Sequence, residues 1–317
     1  MTTIRNRPSL FDLQVNGFGG VDYQQLEISQ ASLRCSIDSL RLHHIHRILL
    51  TLITDDVDQL CRKLEQFETY RRNDPLAAET IAGYHLEGPY LSPLPGYCGA
   101  HPPAMMRAPS LRELELLNEA ARGNLRLMTL APEWKESDEF IAEACRRGIV
   151  IALGHTQASE AEIDMAIRAG ATLCTHLGNA VPETLPRHDN VVQRLLARDE
   201  LTACMIPDGL HLPPFVLKNF FRAKPSGKVI LTSDCMAAAG APPGRYSVGQ
   251  LEMEVGADRV VREPGKPNFA GSALVLDYGV ENAARWLDVP LDDVWRMASS
   301  TVAEIFQVKL PELEVAG

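Results

Sequence analysis

Eight short apolar runs, spaced along the chain and separated by polar segments, constrain the fold of this sequence more than any other feature. Each run is a nearly unbroken series of Val, Ile, Leu and small residues, which is typical of strands covered by helices on both faces. Eight such strands in alternation with helices favour a closed (β/α)8 barrel over an open doubly wound sheet. We place the strands at residues 10–17, 47–54, 81–88, 125–132, 149–155, 171–179, 201–208 and 228–234.

The segments between these strands have helical periodicity with a polar face. An irregular stretch rich in Pro and Gly follows the eighth strand, at residues 240–268. Because no repeat or linker interrupts the alternation, residues 1–317 are predicted to form a single barrel domain. The predicted helices span residues 29–43, 55–71, 110–122, 136–147, 158–169, 213–223, 273–287 and 290–306.

Charge and cysteine content argue against several classes of function. A formal net charge of −10 disfavours binding to nucleic acid or to anionic membranes. The seven cysteines are scattered and never spaced as CxxC, which argues against a disulfide framework and against a cysteine-ligated zinc site. The sequence has neither an apolar signal core at its N-terminus nor a run long enough for a membrane span. We therefore predict a cytoplasmic protein with no nucleic-acid or membrane partner.

Polar side chains stand where the predicted strands end. In (β/α)8 barrels the catalytic groups project from the carboxyl ends of the strands. Burying polar groups without partners costs free energy. Polar residues at these positions therefore indicate a functional site. In order from strand one to strand eight, the residues are Gln14, Asn16, Glu87, His155, His176, Asp208 and Asp234.

Three of these residues form a potential metal-binding set. A single His at a strand end is more often a hydrogen-bonded structural residue, but Glu87, His155 and His176 at the same end of one barrel favour a metal. One carboxylate and two imidazoles leave an open coordination position, as in catalytic zinc sites, where the metal polarises substrate and activates water. Asp234 is the natural general base. The pattern predicts a metal-dependent hydrolase.

Other histidines and glycines have simpler interpretations. His85 alternates with Glu87, so we expect it one layer deeper in the barrel, in a structural hydrogen bond. The HHIH run at residues 43–46 precedes strand two, at the opposite end of the barrel, and predicts a solvated helix end. NGFGG at residues 16–20 lacks the full GxGxxG pattern of a dinucleotide site, and turn formation accounts for its glycines.

Several longer motifs extend from about residue 10 to about residue 307. They are DLQVNGFGG (12–20), HLEGPYLSP (85–93), GAHPP (99–103), LGHTQAS (153–159), THLGNAVP (175–182), PDGLHLPP (207–214), TSDCMAAAG (232–240) and FAGSAL (269–274). In order and spacing, this set resembles the N-acetylglucosamine-6-phosphate deacetylase family of the amidohydrolase superfamily. The resemblance implies a (β/α)8 barrel that removes the acetyl group from an amino-sugar phosphate and releases acetate and a free amine.

The resemblance also implies roles for individual residues. Glu87, His155 and His176 fall on the family's metal ligands, Asp234 falls on its catalytic acid/base, and His101 matches the residue that helps polarise the amide carbonyl. Relatives with two metals carry HxH where this chain has QVN, and no lysine stands at a strand end to bridge two ions. The implied cofactor is one divalent metal ion per subunit, either Zn²⁺ or another ion such as Fe²⁺. The residues that match the family's sugar-phosphate contacts are Asn179, Ala180, Arg187 and His211.

Two departures from the family pattern concern the substrate and the assembly. PRHDN at residues 186–190 replaces the family's usual arginine followed shortly by Pro-Gly, so we expect a reshaped phosphate-binding loop. Relatives also add a small β-sandwich built from strands before and after the barrel. With only about ten residues on each side of the predicted barrel, we expect that domain to be absent and the exposed surface to be covered in a homodimer.

Two alternatives to an amino-sugar phosphate deacetylase stay open at this point. One is an amidohydrolase that acts on a different amide or cyclic amide, and the other is an inactive barrel that binds a sugar phosphate. A barrel aldolase that forms a Schiff base fits less well, because Lys228 opens strand eight at the opposite end of the barrel.

Overall fold

The computed structural model describes residues 7–265 and 271–313. In that part of the chain, eight parallel strands lie side by side in sequence order. A parallel bridge between Val15 and Cys235 joins the two edges of the sheet, and the Asn16 amide donates to the Cys235 carbonyl at 2.8 Å. These features confirm the predicted (β/α)8 fold class. The strands are β1 (Leu10–Val15), β2 (Ile45–Ile53), β3 (Ile81–Glu87), β4 (Leu125–Leu130), β5 (Val150–Leu153), β6 (Leu173–Cys174), β7 (Thr202–Met205) and β8 (Val229–Leu231).

Most strands are shorter than predicted at their carboxyl ends. The run expected at 171–179 contributes only Leu173–Cys174, and the run at 228–234 ends at Leu231. The cause lies in the backbone that follows, because His176 and Asp234 have positive φ angles of 25° and 50°. A strand cannot continue through such a conformation. The polar residues predicted to end the strands therefore lie just beyond several of them.

The helices surround the sheet within a few residues of their predicted positions. Two short helices were missed, Pro75–Thr80 and Val191–Leu196. The first begins where the Asp74 side chain accepts the Leu76 amide and Pro75 occupies the first turn. Within the described residues, no helix combines the length and apolar character needed to cross a membrane. The helices are α1 (Gln30–Leu42), α2 (Val57–Asn73), α3 (Pro75–Thr80), α4 (Leu111–Ala120), α5 (Ser137–Arg146), α6 (Glu160–Ala169), α7 (Val191–Leu196), α8 (Pro214–Ala223), α9 (Leu276–Leu287), α10 (Leu291–Met297) and α11 (Ser300–Phe306).

The helix predicted at 290–306 is divided into α10 and α11. The break is at Ser299, whose backbone leaves the helical region and whose hydroxyl donates to the Trp295 carbonyl at 2.7 Å. The division lets α11 pack against the barrel strands, where the Phe306 ring lies 5.8 Å from the ring of Phe11. These rings belong to an apolar cluster that includes side chains from most of the barrel strands.

The prediction of an irregular stretch at 240–268 was wrong. Three antiparallel strands lie within it: β9 (Gly244–Val248), β10 (Leu251–Val255) and β11 (Val261–Arg262). In β10, buried Met253 and Val255 alternate with exposed glutamates, so the strand period was present but was obscured by flanking Pro and Gly. Residues 266–268 of the stretch, and residues 269–270 of the FAGSAL motif, lie outside the described part of the chain.

A layer of hydrogen-bonded side chains crosses the barrel interior beside the strand ends. The His85 ring contacts the Thr51 hydroxyl at 3.3 Å and the Thr129 hydroxyl at 2.8 Å. Thr129 continues the chain to the Thr175 hydroxyl at 2.7 Å. All four side chains are buried. This network confirms the predicted hydrogen bonding of His85 inside the barrel.

Candidate metal and active site

Glu87, His155 and His176 meet at the carboxyl end of the barrel. Glu87 is the last residue of β3, whereas the two histidines each lie two positions beyond β5 and β6. Glu87 Oε1 is 2.9 Å from His176 Nε2 and 3.2 Å from His155 Nε2, and the two imidazole nitrogens are 3.1 Å apart. All three residues are buried. The structure thus brings together the three residues that the sequence predicts as metal ligands.

The three converging atoms form a donor set that fits a cation. His155 Nδ1 lies 2.9 Å from the Tyr97 carbonyl oxygen, which can only accept, so Nδ1 carries the proton of the neutral ring. The lone pair of His155 Nε2 is then directed at Glu87 Oε1 and His176 Nε2. Ligand atoms about 2.1 Å from a tetrahedral ion are about 3.4 Å apart, which is close to the observed spacing. Two nitrogens and a carboxylate oxygen suit Zn²⁺ or a similar divalent ion.

Backbone strain occurs at the same positions. The φ angles of His155, His176 and Asp234 are 52°, 25° and 50°, in the left-handed region that residues other than glycine rarely adopt. Each such conformation costs roughly 1–3 kcal/mol and persists where the surrounding structure enforces it, most often at functional sites. Strain at three of the four predicted metal-site and acid/base residues is therefore independent support for a site at this end of the barrel.

Two amide side chains, one in β1 and one directly after it, donate hydrogen bonds to the two carboxylates. Gln14 Nε2 donates to Glu87 Oε1 at 2.9 Å, and Asn16 Nδ2 donates to Asp234 Oδ1 at 2.9 Å. The strand pattern predicted both amides at the end of strand one, but it predicted no contact between them and these acids. Their spacing of two residues puts both on one face of the strand, and this was the signal that could have identified them.

Asp234 shares the cavity of the three potential ligands. Its side chain is half-buried, and desolvation together with the negative charge of Glu87 raises the pKa of Asp234 to about 7. A carboxyl group with a pKa near neutrality can accept a proton and return it within one reaction cycle. The environment of Asp234 therefore suits an acid/base residue.

His101 presents an N–H group to the same cavity. The Thr54 backbone amide donates to His101 Nδ1 at 3.3 Å, so the neutral ring carries its proton on Nε2. That Nε2 atom is 3.5 Å from Glu87 Oε2. An N–H donor beside the potential metal ligands is suited to a carbonyl oxygen on which negative charge develops.

The four residues predicted to bind a sugar phosphate differ in their placement. Asn179, Ala180 and His211 line the cavity. His211 is oriented by Asp208, whose carboxylate lies 2.6 Å from His211 Nδ1 and also accepts the His211 backbone amide at 2.8 Å. Arg187 is exposed and is not among the described residues that line the cavity. Its role in phosphate binding stays a prediction.

The cavity has a volume of about 430 Å³, which is within the range of small-molecule sites. A second cavity of about 560 Å³ adjoins His43 and Tyr278 and contains none of the potential metal ligands. His43, from the HHIH run, pairs there with Asp277 at 2.9 Å. Because the smaller cavity contains the three potential metal ligands and Asp234, it is the candidate functional site.

Comparison with known proteins agrees with this geometry, although no protein-family model matches the chain. N-acetylglucosamine-6-phosphate deacetylase of Vibrio furnissii is 31% identical over 97% of this chain and 76% of its own length. N-acetylgalactosamine-6-phosphate deacetylase of a Shewanella species is 31% identical over 93% of this chain and 73% of its own.

A solved structure extends the likeness to three dimensions. It is an aspartate-to-alanine variant of N-acetyl-D-glucosamine-6-phosphate deacetylase from Mycobacterium smegmatis, in complex with N-acetyl-D-glucosamine-6-phosphate. It superimposes with a TM-score of 0.87 at 29% identity, over 98% of this chain and 80% of the other. The chain therefore belongs to the N-acetylglucosamine-6-phosphate deacetylase family.

Proposed function

We propose that this protein is a metal-dependent amide hydrolase that deacetylates N-acetylglucosamine 6-phosphate. The observation that carries the proposal is the convergence of Glu87, His155 and His176 with Asp234 around one cavity. The Mycobacterium smegmatis relative, whose structure contains this sugar phosphate, supports the choice of substrate.

The proposed cofactor is one Zn²⁺ ion per subunit, held by Glu87 Oε1 and by the Nε2 atoms of His155 and His176. When bound, it would supply Lewis-acid chemistry to the amide and to the attacking water. The donor set also suits Fe²⁺, and metal analysis of the purified protein distinguishes the two. Gln14 supports this site because its donated hydrogen bond fixes the orientation of Glu87 Oε1.

Asp234 and His101 would carry the proton transfer and the polarisation of the substrate. The Asp234 carboxylate takes a proton from the attacking water and then delivers it to the nitrogen of the departing amine. His101 Nε2–H donates to the amide carbonyl oxygen as negative charge develops on it. The contact from Asn16 keeps the Asp234 carboxylate in one orientation throughout.

The sugar phosphate would be held by Asn179, Ala180, His211 and Arg187. Asp208 sets the orientation of the His211 ring through its contact with Nδ1. A guanidinium group can hold a phosphate through two parallel hydrogen bonds, and this is the role proposed for Arg187. Arg187→Ala is expected to raise KM for the phosphorylated sugar and to leave the unphosphorylated sugar unaffected.

The function is tested by measuring acetate and free amine released from N-acetylglucosamine 6-phosphate, with metal content determined on the same sample. We expect equal amounts of both products, and we expect turnover to stop on chelation and to return with Zn²⁺. Asp234→Asn should keep the metal but lose about 10²- to 10⁴-fold in kcat. Asp164→Asn, a change on the outer helix α6, is the control. A metal-loaded Asp234→Asn protein with full activity would exclude the assigned role.

A second candidate substrate is N-acetylgalactosamine 6-phosphate, favoured by the Shewanella relative. The two sugars differ only in the configuration at one ring carbon, so the same catalytic groups could serve both. Comparing kcat/KM for the two phosphates, for their unphosphorylated forms and for a cyclic amide decides between these substrates and the other amides considered above.

We further propose that the protein acts in the cytoplasm as a homodimer. All seven cysteines are unpaired, which suits a reducing compartment. Phe215 and Tyr278 are 69% and 56% exposed, and association would cover such side chains. Light scattering of the purified protein should give the mass of two subunits.

A further inference from the structure

One wall of the candidate cavity is apolar. Ile53, Met236, Val248 and Met253 all line it, and they pack together in one hydrophobic cluster. Val248 and Met253 come from β9 and β10, the antiparallel sheet inserted after the barrel's last strand. The same insertion also contributes Glu263 to the lining. The four apolar side chains have no hydrogen-bond donors to offer a sugar hydroxyl or a phosphate, so the mechanism above does not use them.

This apolar wall lies beside the reacting groups, on the side of β2 and β8. Ile53 is paired with Glu87 in the sheet register, and Met236 is two residues from Asp234. Asn179 and Ala180, assigned above to the sugar phosphate, follow β6 instead. The residues assigned to the sugar phosphate and the apolar wall therefore follow different strands of the barrel, and we refer to them as the polar side and the apolar wall of the cavity.

An amide has its acyl chain and its nitrogen on opposite sides of the carbonyl carbon. If the nitrogen, which carries the sugar, lies towards the polar side, the acyl chain extends towards the apolar wall. We propose that the apolar wall is the acyl subsite, and that Val248 and Met253 set the length of acyl chain that the enzyme accepts. This inference rests on the proposed function and deepens it.

The size of the effect follows from the burial of small apolar groups. One methylene group more or less in a hydrophobic pocket changes kcat/KM by about 10- to 200-fold. Val248 is 9% exposed and Met253 is fully buried, so shortening either side chain enlarges a closed wall. The space gained would accept the extra carbons of propanoyl or butanoyl groups.

The test uses the zinc-loaded protein and three substrates: glucosamine 6-phosphate carrying an N-acetyl, N-propanoyl or N-butanoyl group. Release of the free amine is measured, because that product is common to all three. Straight-chain amides have similar intrinsic reactivity, so the butanoyl-to-acetyl ratio of kcat/KM reports the subsite. We expect Val248→Ala and Met253→Ala each to raise this ratio at least about tenfold over the wild-type protein.

Val255→Ala is the matched control. Val255 belongs to the same hydrophobic cluster and is 2% exposed, but it is not among the described residues that line the cavity. It should lose stability much as Val248→Ala does and leave the ratio unchanged. If Met253→Ala fails to fold, Val248→Leu, which fills the wall, should instead lower the ratio.

The possible outcomes distinguish failure of the acyl subsite from failure of the proposed function. Equal ratios in Val248→Ala, Val255→Ala and the wild-type protein, with normal turnover of the acetyl substrate, overturn the acyl subsite and leave the proposed function intact. A metal-loaded protein that releases no amine from any of the three substrates overturns the proposed function, and the acyl subsite with it.

Discussion

Replacing Asn16 with alanine removes the hydrogen bond that Asn16 Nδ2 donates to Asp234 Oδ1 at 2.9 Å. This donor stabilises the charged carboxylate more than the neutral acid. Burial and the charge of Glu87 already raise the pKa of Asp234 to about 7, whereas the hydrogen bond from Asn16 lowers it. We therefore expect Asn16→Ala to raise the pKa of Asp234 further.

The size of this shift can be worked out from the energy of the contact. A hydrogen bond to a charged group contributes about 1.5–3 kcal/mol. Since 1.36 kcal/mol corresponds to one pKa unit, the expected rise is about 1–2 units. A bound cation lowers the starting pKa in both proteins, so the difference between them is the quantity to compare.

The assay is the pH dependence of kcat/KM for N-acetylglucosamine 6-phosphate. The general base must be deprotonated, so activity falls as the pH drops through the pKa of Asp234 in the free enzyme. A raised pKa moves this acid limb to higher pH. The variant should be impaired near neutral pH and should recover towards wild-type activity about two units higher.

A matched amide provides the control for Asn16. Asn282 donates to the Pro207 carbonyl at 3.2 Å and lines the second cavity, away from the potential metal ligands. Asn282→Ala should leave the acid limb in place. If Asn16→Ala lowered kcat/KM by one factor at every pH, with the limb unmoved, the inferred action of Asn16 on Asp234 would be wrong.

Two further predictions concern residues that hold the metal ligands and the neighbouring backbone in place. Gly99 has a φ of 57°, and the Cβ that alanine would add lies only 3.0 Å from the His155 ring. Gly99→Ala should therefore displace this ligand and weaken Zn²⁺ binding about tenfold or more. Competition with a chelator measures the affinity. Gly123→Ala has a similar φ of 75° but open space around it, and it should bind Zn²⁺ normally. Asp12→Ala leaves the buried Ser233 hydroxyl, 2.5 Å from the carboxylate, without its acceptor, so the free energy of unfolding in denaturant should fall by about 1–3 kcal/mol. A change below about 0.5 kcal/mol would contradict that role, because it is the range of neutral surface substitutions.

The sequence by itself determined the barrel and the set of polar residues at its carboxyl end. Eight apolar runs of strand length between helical segments leave few other arrangements, because each strand must be covered on both faces. In a parallel barrel all strand ends of one kind meet on one side. The places of Glu87, His155, His176 and Asp234 in the strand pattern were therefore enough to predict a shared site.

Only the tertiary structure decided how these residues are held and what surrounds them. Gln14 and Glu87 are 73 positions apart and Asn16 and Asp234 are 218 apart, so no local pattern encodes their pairing. His155, His176 and Asp234 have left-handed backbone conformations that histidine and aspartate seldom adopt. Tertiary packing imposes these conformations at the strand ends. The sheet β9–β11, hidden among Pro and Gly, supplies an apolar wall whose position depends on long-range contacts. Local periodicity fixes the elements, whereas contacts between distant residues fix the site.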